Sequence, residues 1–315
     1  MQNLIIAALL TAAFLGTAHG QIFVANYGSG TIAEFSTSGA LINGALISGL
    51  SQPGGIAISG NDLFISQRGN GSIAEYTTSG KLVNASLITG LSQPASIAIY
   101  GNDLFVANSA GPTSTTAVGE YTLSGATVNA SLITGLENPV GVATDGANLY
   151  VSAFSGGTVG KYTMSGAAVD VSLISGLQNP DGLALDGNGD IYVSTRNQVG
   201  EYTTSGAIVN ASLITGGYNS GQGLALDGKG NLFWADNYGG AGGNKIGDYT
   251  TSGEVEDASF ITGLSNPIGI AVESAPDATS SVCLLGIALA GIGAVRRCIK
   301  TGAGLNAGRS AGGTL

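Results

Sequence analysis

The sequence contains few of the side chains that supply nucleophilic or redox chemistry. Its 315 residues include 2 cysteines and 1 histidine. Cys283 and Cys298 lie near the C-terminus and His19 near the N-terminus, so residues 21–272 contain neither residue type. This central segment therefore has no disulfide, no thiol and no Ser-His or Cys-His pair. Only carboxylate or metal-assisted chemistry is available to it, and we assign it no catalytic residue.

Charge is also scarce and mostly negative. Charged residues make up 10% of the chain, whose net charge is −10. Residues 21–272 hold 6 Lys and Arg against 18 Asp and Glu. An acidic segment repels phosphate, so nucleic acid is not expected as a partner. The hydrophobic fraction of 43% nevertheless suffices for a folded core, which argues against disorder.

The two ends of the chain carry targeting features. Residues 1–20 form an apolar run that ends in Ala18-His19-Gly20, which predicts a signal peptide cleaved before Gln21. Near the other end, residues 278–295 are uncharged and precede Arg296 and Arg297. This pattern predicts a short membrane helix with the arginines on the cytoplasmic side; a hydrophobic core helix is the alternative. We therefore expect an exported protein, anchored permanently or transiently by its C-terminal helix.

The C-terminal tail has three parts. Pro276-Asp277 comes first, the apolar run second, and the Arg296-Arg297 pair third. This order resembles the Val-Pro-Asp variant of the bacterial PEP-CTERM sorting signals, with Ala275 in place of the usual Val and 18 further residues after the arginines. The resemblance implies an exosortase-type processing enzyme as a partner, and a cell-envelope or extracellular destination.

Between the two ends, one unit of about forty residues occurs six times. Its clearest tag is an aromatic residue followed by a hydroxyl residue, one variable residue, Ser and Gly. The tags end at Gly39, Gly80, Gly125, Gly166, Gly206 and Gly253. Each full unit contains four short apolar segments separated by turn residues, for example 97–99, 104–107, 118–122 and 130–133. Four strands per unit predict an all-β, six-bladed β-propeller with four antiparallel strands in each blade.

The phase of the repeat predicts how the ring closes. The repeats begin with a second-strand segment, 22–25, and end with a first-strand segment, 269–272. Both termini should therefore complete the last blade and remove the open edge. The predicted organisation is a signal peptide (1–20), the propeller (21–272), a linker with the sorting motif (273–281), a hydrophobic helix with the Arg pair (282–297) and a disordered tail (298–315).

Three motifs recur in the units: Pro-x-Gly-Ile-Ala at the entry to the first strand, a Gly-Asn turn, and Leu-Tyr-Val in the second strand. Together they resemble the NHL-type repeats and the gluconolactonase-like propellers over residues 21–272. That resemblance implies acidic and amide metal ligands at the axial mouth. Asp181 and Asp236 are the two carboxylates that match by type. Because calcium takes about six to eight oxygen ligands, we expect no cofactor, with Ca²⁺ as the alternative.

The two faces of the predicted propeller differ in sequence. One face carries nearly uniform glycine turns, which indicate scaffold. The other varies in the residue after the Pro and in loop length, and loops around a rigid axis commonly bind ligands. Drift of unselected loops would give the same variation. The candidate binding residues on the variable face are Asn26, Gln67, Asn108, Asp181, Gln222, Asp236, Asn237 and Tyr238.

One acidic position also recurs in the third strands. It is occupied by Glu34, Glu75, Glu120, Glu201 and Asp248, with Lys161 as the exception. Because these residues share one structural position, we interpret them as repeated structural contacts or a solvated stripe rather than as a catalytic array.

The sequence thus favours an exported binding or scaffold module without enzymatic activity. Its ligand would be a glycan, a peptide or a protein bound on the variable face. The alternative is a metal-dependent gluconolactonase-like hydrolase or lyase at the axial mouth, centred on Asp181 and Asp236. A structural component of a surface polymer, which needs no ligand, is a third interpretation.

Overall fold

A computed structural model describes residues 20–109, 116–216, 221–237 and 244–273. Within these ranges the chain forms six four-stranded antiparallel sheets. The predicted signal peptide except Gly20, most of the predicted linker with its sorting motif, and the predicted hydrophobic helix and tail lie outside the described residues. None of the described residues belongs to a helix that is long and apolar enough to span a membrane.

The strands follow one another with short connections. In chain order they are β1 (Gln21–Asn26), β2 (Thr31–Ser36), β3 (Leu41–Ile47), β4 (Pro53–Ser59), β5 (Asp62–Gln67), β6 (Ser72–Thr77), β7 (Leu82–Ile88), β8 (Pro94–Tyr100), β9 (Asp103–Asn108), β10 (Ala117–Thr122), β11 (Thr127–Thr134), β12 (Pro139–Thr144), β13 (Asn148–Ala153), β14 (Thr158–Thr163), β15 (Ala168–Ile174), β16 (Leu183–Leu185), β17 (Asp190–Ser194), β18 (Gln198–Thr203), β19 (Ile208–Thr215), β20 (Gly221–Leu226), β21 (Asn231–Asp236), β22 (Lys245–Thr250), β23 (Val255–Ile261) and β24 (Pro267–Glu273).

Each sheet is one blade of the propeller. Blade 1 contains β4–β7, blade 2 β8–β11, blade 3 β12–β15, blade 4 β16–β19, blade 5 β20–β23, and blade 6 the order β24-β1-β2-β3. The first strand of each blade contacts the first strands of both neighbouring blades, so these six strands surround the axis. The predicted six-bladed fold is confirmed. So is its closure, because β1 pairs with β24 in antiparallel register from Gln21↔Glu273 to Asn26↔Pro267.

The hydrophobic core lies between the blades. The second strands are almost completely buried, and each core cluster joins residues of two adjacent blades. Phe233 of blade 5, for example, packs in one cluster with Ile22 and Val24 of blade 6. The fourth strands lie at the perimeter, where Leu41 and Ile208 are 64% and 69% exposed. The core therefore holds the blades in a ring and fixes the loops at the axial mouth.

Close approach of the inner strands depends on glycine. A Cβ added to Gly141 of blade 3 would overlap the carbonyl oxygen of Asp181 in blade 4, and Gly182 meets the Gln222 carbonyl in the same way. The Ser152 hydroxyl, on the second strand of blade 3, accepts the Gly141 N–H (2.7 Å) and donates to the Asp181 carbonyl (2.6 Å). Glycine and serine together thus join neighbouring blades at the axis.

The acidic position of the third strands makes contacts within the fold. Glu34 accepts a 2.6 Å hydrogen bond from the Gln21 side chain, and Glu201 accepts one of 3.2 Å from the Tyr192 hydroxyl. Lys161, the exception, donates to the Thr204 carbonyl of blade 4 (3.0 Å). These bonds connect strands within blades and, at Lys161, two blades.

Candidate functional site

An axial channel of about 120 Å³ passes between the first strands of the six blades. Aliphatic side chains and exposed backbone both contribute to its wall. Each blade supplies one aliphatic side chain from the inner strand: Ile56, Ile97, Val142, Leu183, Leu224 and Ile270. Few polar side chains line this space, and Arg68, Asp181 and Gln222 are the ones that can orient a ligand there.

A repeated irregularity places one residue of each blade at the channel mouth. The ladder between first and second strands shifts register just after the leading proline, for example between Pro53 and Ile56 and between Pro94 and Ile97. The residue at the next position differs in every repeat. In five blades it lines the channel, as Ala95, Val140, Asp181, Gln222 and Ile268. In blade 5, Gly221 replaces the proline.

Asp181 is the acidic residue of this set. Its backbone is fixed, because its N–H donates to the Ser194 carbonyl (2.9 Å) and its own carbonyl accepts from Ser152. The residue is only 7% exposed, yet no described residue donates a hydrogen bond to its carboxylate. Burial raises the pKa of Asp181 to about 7, although the charge of Arg68 acts in the opposite direction. A largely buried carboxylate thus borders the channel without a hydrogen-bond donor among the described residues.

Arg68 reaches the same channel from blade 1, three blades away from Asp181. It directly follows β5, and its N–H donates to the Gln52 carbonyl (3.1 Å). Its guanidinium donates to the Ser109 hydroxyl of blade 2 (3.2 Å). Ser109 in turn donates to the Gln93 carbonyl (3.0 Å). These bonds hold the guanidinium at the mouth and connect blades 1 and 2.

Outside the channel lies a wider hollow of about 260 Å³, here called the vestibule. Amide side chains dominate it. Its lining consists of Tyr27, Gln52, Arg68, Gln93, Gln222, Asn237, Asn266 and Ile268. Arg68, Gln222 and Ile268 line both the vestibule and the channel, so the two spaces adjoin at these residues.

Three of the vestibule amides have a left-handed backbone. The φ angles are 52° at Gln52, 47° at Gln93 and 55° at Asn266, and a proline follows each. Such a conformation costs about 1–2 kcal/mol in a residue with a Cβ. It is held by the loop after the second strand, since Tyr27 N–H donates to the Asn266 carbonyl (3.1 Å), as Arg68 does to Gln52. The amides are therefore presented by a rigid frame.

Two predicted site residues make hydrogen bonds to the loop that leads into the first strand of their own blade. The Asn26 side-chain oxygen accepts a bond from the Ser265 N–H (3.1 Å), and the Gln67 side-chain oxygen accepts one from the equivalent Ser51 N–H (2.9 Å). Neither side chain lines the channel or the vestibule. Asn108 is buried as well; its side-chain N–H donates to the Val106 carbonyl at 3.4 Å, and its Oδ1 has no hydrogen-bond partner among the described residues.

The other predicted residues have three different outcomes. Gln222 and Asn237 line the vestibule, and Asp181 lines the channel. Asp236 is 5% exposed, lies beside Lys245 in the β21–β22 ladder and lines neither space. Tyr238 and the sorting residues Pro276, Asp277, Arg296 and Arg297 lie outside the described part of the chain.

The described residues of the site do not have the ligand chemistry that calcium prefers. Across the described ranges, no three His, Cys, Asp or Glu side chains are grouped to hold a metal ion. Of the described residues that line the channel and vestibule, only Asp181 supplies a carboxylate, and the cationic Arg68 shares the channel with it. Calcium prefers several anionic oxygens. The metal role of Asp181 and Asp236 stays a prediction, and no reaction step is derived through a metal.

Five residues of the site were not predicted: Tyr27, Arg68, Gln52, Gln93 and Asn266. Two signals in the sequence point to them. Arg68 and Arg196 are the only arginines in residues 21–272; Arg68 directly follows β5, and Arg196 lies two residues after the end of β17. An amide residue also precedes the leading proline in five blades, at Gln52, Gln93, Asn138, Asn179 and Asn266.

The sequence matches no protein family and no curated protein. Several solved structures nevertheless share its fold. A chain of the nidogen/laminin complex superposes with a TM-score of 0.68 at 16% identity, covering 81% of this chain and 99% of its own. A gluconolactonase of Xanthomonas campestris gives a TM-score of 0.56 at 15% identity, covering 69% of this chain and 83% of its own.

A catalytically inactive His-to-Ala variant of virginiamycin B lyase from Staphylococcus aureus, with quinupristin, is a third similar structure. Its TM-score is 0.53 at 18% identity, and it covers 82% of this chain and 94% of its own. At such identities these similarities show the six-bladed propeller fold and not a shared activity. The same fold thus occurs in a protein complex and in two kinds of enzyme.

Proposed function

We propose that this protein is a binding module whose ligand enters the vestibule and reaches the mouth of the axial channel. The observation that carries the proposal is the Asp181 carboxylate, which belongs to a residue only 7% exposed and accepts no hydrogen bond from a described residue. Burial disfavours the charged form of a carboxylate. A ligand that donates a hydrogen bond to Asp181 would stabilise that form, which makes the carboxylate an anchor for a ligand.

The charges of the site favour an uncharged ligand. Arg68 and Asp181 are the only charged described residues that line the two spaces, and their charges are opposite. A cationic ligand would meet Arg68, and an anionic one would meet Asp181 and a propeller with a large acidic excess. A neutral ligand meets neither penalty.

The amides specify the chemistry further. Each Asn or Gln side chain can donate two hydrogen bonds and accept two, which suits a ligand whose hydroxyls both donate and accept. Gln52, Gln93 and Asn266 present such groups around the vestibule, and Tyr27 adds an aromatic ring. We therefore propose a neutral, hydroxyl-rich ligand, that is, a neutral glycan or the neutral end of one.

A glycan array with the purified protein tests this proposal. We expect binding to neutral glycans, weakened about tenfold or more by Asp181→Asn, because the charged acceptor is lost. Asp170→Asn is the matched control. Asp170 lies at the perimeter of blade 3 and accepts a hydrogen bond from the Ser172 N–H. At the equivalent position of blade 2, Asn129 accepts the same bond from Ser131, so asparagine fits there. Equal binding by both variants, or a preference for acidic glycans, would contradict the proposal.

A second candidate is acid-base catalysis on such a ligand. It is favoured by one observation: burial brings the pKa of Asp181 to about 7, where a carboxyl can both donate and accept a proton. Histidine is absent from residues 21–272, whereas the similar lyase loses activity when a histidine is replaced. Asp181 would therefore act without an imidazole. Chemical change of a bound glycan over time, abolished by Asp181→Asn, would establish this candidate in place of simple binding.

The proposed role belongs outside the cytoplasm. The leader at residues 1–20 and the tail at residues 276–297 support export and processing by an exosortase-type enzyme. Cell fractionation of the wild type and of a Pro276→Ala, Asp277→Ala variant tests the tail. Unchanged location and length of the variant would contradict a sorting role for these residues.

A further inference from the structure

Gly20 belongs to the propeller, although the apolar leader extends to it. Its carbonyl accepts a 3.1 Å hydrogen bond from the N–H of Thr37 in blade 6. The residue is buried, and the compact unit that contains the blades begins at Gly20. The folded structure therefore uses a residue that cleavage before Gln21 would remove.

The same hydrogen bond recurs in four other blades. In each of these blades, the backbone carbonyl of the residue directly before the second strand accepts a hydrogen bond from the backbone N–H of the third residue of the tag. The pairs are Thr78 N–H to Asn61 (2.8 Å), Leu123 to Asn102 (3.0 Å), Thr204 to Gly189 (2.8 Å) and Thr251 to Gly230 (2.8 Å). A bond repeated at one position of the fold is part of its construction, and loss of Gly20 would leave blade 6 without it.

A second small-x-small sequence lies two residues upstream of Gly20. It is Gly16-Thr17-Ala18, and it satisfies the same small-residue requirement as Ala18-His19-Gly20. We propose that the leader is cut at the Ala18–His19 bond, so that the mature protein begins at His19 and keeps Gly20. Water is added across this peptide bond, which gives a carboxylate on Ala18 and an amino group on His19.

The N-terminus of the exported protein tests the proposal directly. The full chain is expressed in a host with a general secretory pathway, and the exported product is sequenced from its N-terminus and weighed by intact mass spectrometry. We expect a chain that begins at His19. A chain that begins at Gln21, or one that keeps its leader, would overturn the proposal.

Two substitutions separate the alternative cleavage positions. Gly16→Leu changes only the small-x-small sequence that ends at Ala18, and Gly20→Val changes only the one that ends at Gly20. We expect Gly16→Leu to accumulate precursor and Gly20→Val to be processed like the wild type. The reverse result would place the cut before Gln21.

The contribution of the Gly20 carbonyl to the stability of the propeller can be measured separately. Two exported forms, one beginning at His19 and one at Gln21, are compared by urea denaturation. We expect a lower urea midpoint for the Gln21 form, because Thr37 N–H loses its acceptor. Equal midpoints would show that the Gly20 carbonyl does not matter to the fold and would remove the basis of the proposal.

Discussion

Arg68 and Asp181 border one channel from blades three positions apart, and the guanidinium charge lowers the pKa of a carboxyl that burial raises to about 7. We expect Arg68→Met to raise the pKa of Asp181 further, because the opposing charge is lost while the aliphatic stem is kept. NMR titration of labelled aspartate carboxyls measures this. Arg196→Met, at the equivalent and exposed position of blade 4, is the control and should leave the Asp181 titration unchanged.

Ser152→Ala should destabilise the propeller by about 1–3 kcal/mol. The substitution removes the hydroxyl that pairs with both the Gly141 N–H and the Asp181 carbonyl, and it leaves both buried. Urea denaturation measures the loss. Ser124→Ala, in an exposed tag where the hydroxyl bonds to Thr122, should cost much less. Equal costs for the two variants would mean that the serine bridge between blades 3 and 4 contributes nothing special.

Gly141→Ala should also destabilise, by about 1–3 kcal/mol, because the added Cβ overlaps the Asp181 carbonyl and forces blades 3 and 4 apart. Gly44→Ala is the control, since a Cβ there meets only the Leu41 side chain, at 3.9 Å. A thermal melt distinguishes them. If Gly141→Ala and Gly44→Ala have the same Tm, the inner strands are less tightly packed than the structure indicates.

Mild acid should stabilise this protein. Burial, followed by charge from a neighbouring carboxylate, raises the pKa of Glu34, Glu75 and Glu120 above 4.5 and that of Asp248 to about 6. A group whose pKa is higher in the folded state binds protons more tightly there, so the free energy of unfolding rises as pH falls through its pKa. Asp145 has the opposite effect on stability, because its hydrogen bonds outweigh burial and lower its pKa below 3.8. This effect is felt only in stronger acid.

We therefore expect Tm to rise as pH falls from about 7 toward about 4.5. Differential scanning calorimetry at several pH values measures the slope. The double variant Asp181→Asn, Asp248→Asn should flatten the upper part of this slope, since it removes the two carboxyls that titrate highest. A Tm that falls throughout the interval would contradict the pKa directions.

The sequence predicted the fold better than it predicted the site. Glycine tags and alternating strands repeat six times, so an error in one unit is corrected by the others, and β1 and β24 were both predicted. The site depends on single residues. Asn26 and Gln67, at the ends of their strands, bond to their own loops, whereas the next residues, Tyr27 and Arg68, reach the mouth. Because side chains alternate along a strand, an offset of one residue reverses direction.

The left-handed amides were missed for a different reason. Gln52 and Gln93 adopt positive φ because hydrogen bonds to their carbonyls hold them there. Neither their residue type nor the following proline favours that conformation locally. Only the packed loops reveal it. Asp181 and Gln222 were found because they vary at a position that the repeat itself marks.

The pairing of Gln21 with Glu273 makes the propeller nearly a closed loop of chain. Its start and finish lie side by side in one sheet, so their location is almost arbitrary with respect to the six blades. A short linker joining these residues, with a new opening at the exposed Gly187 turn, would give a circular permutant with the same ring. The order in which blades are synthesised could thus be changed while the axial mouth is kept.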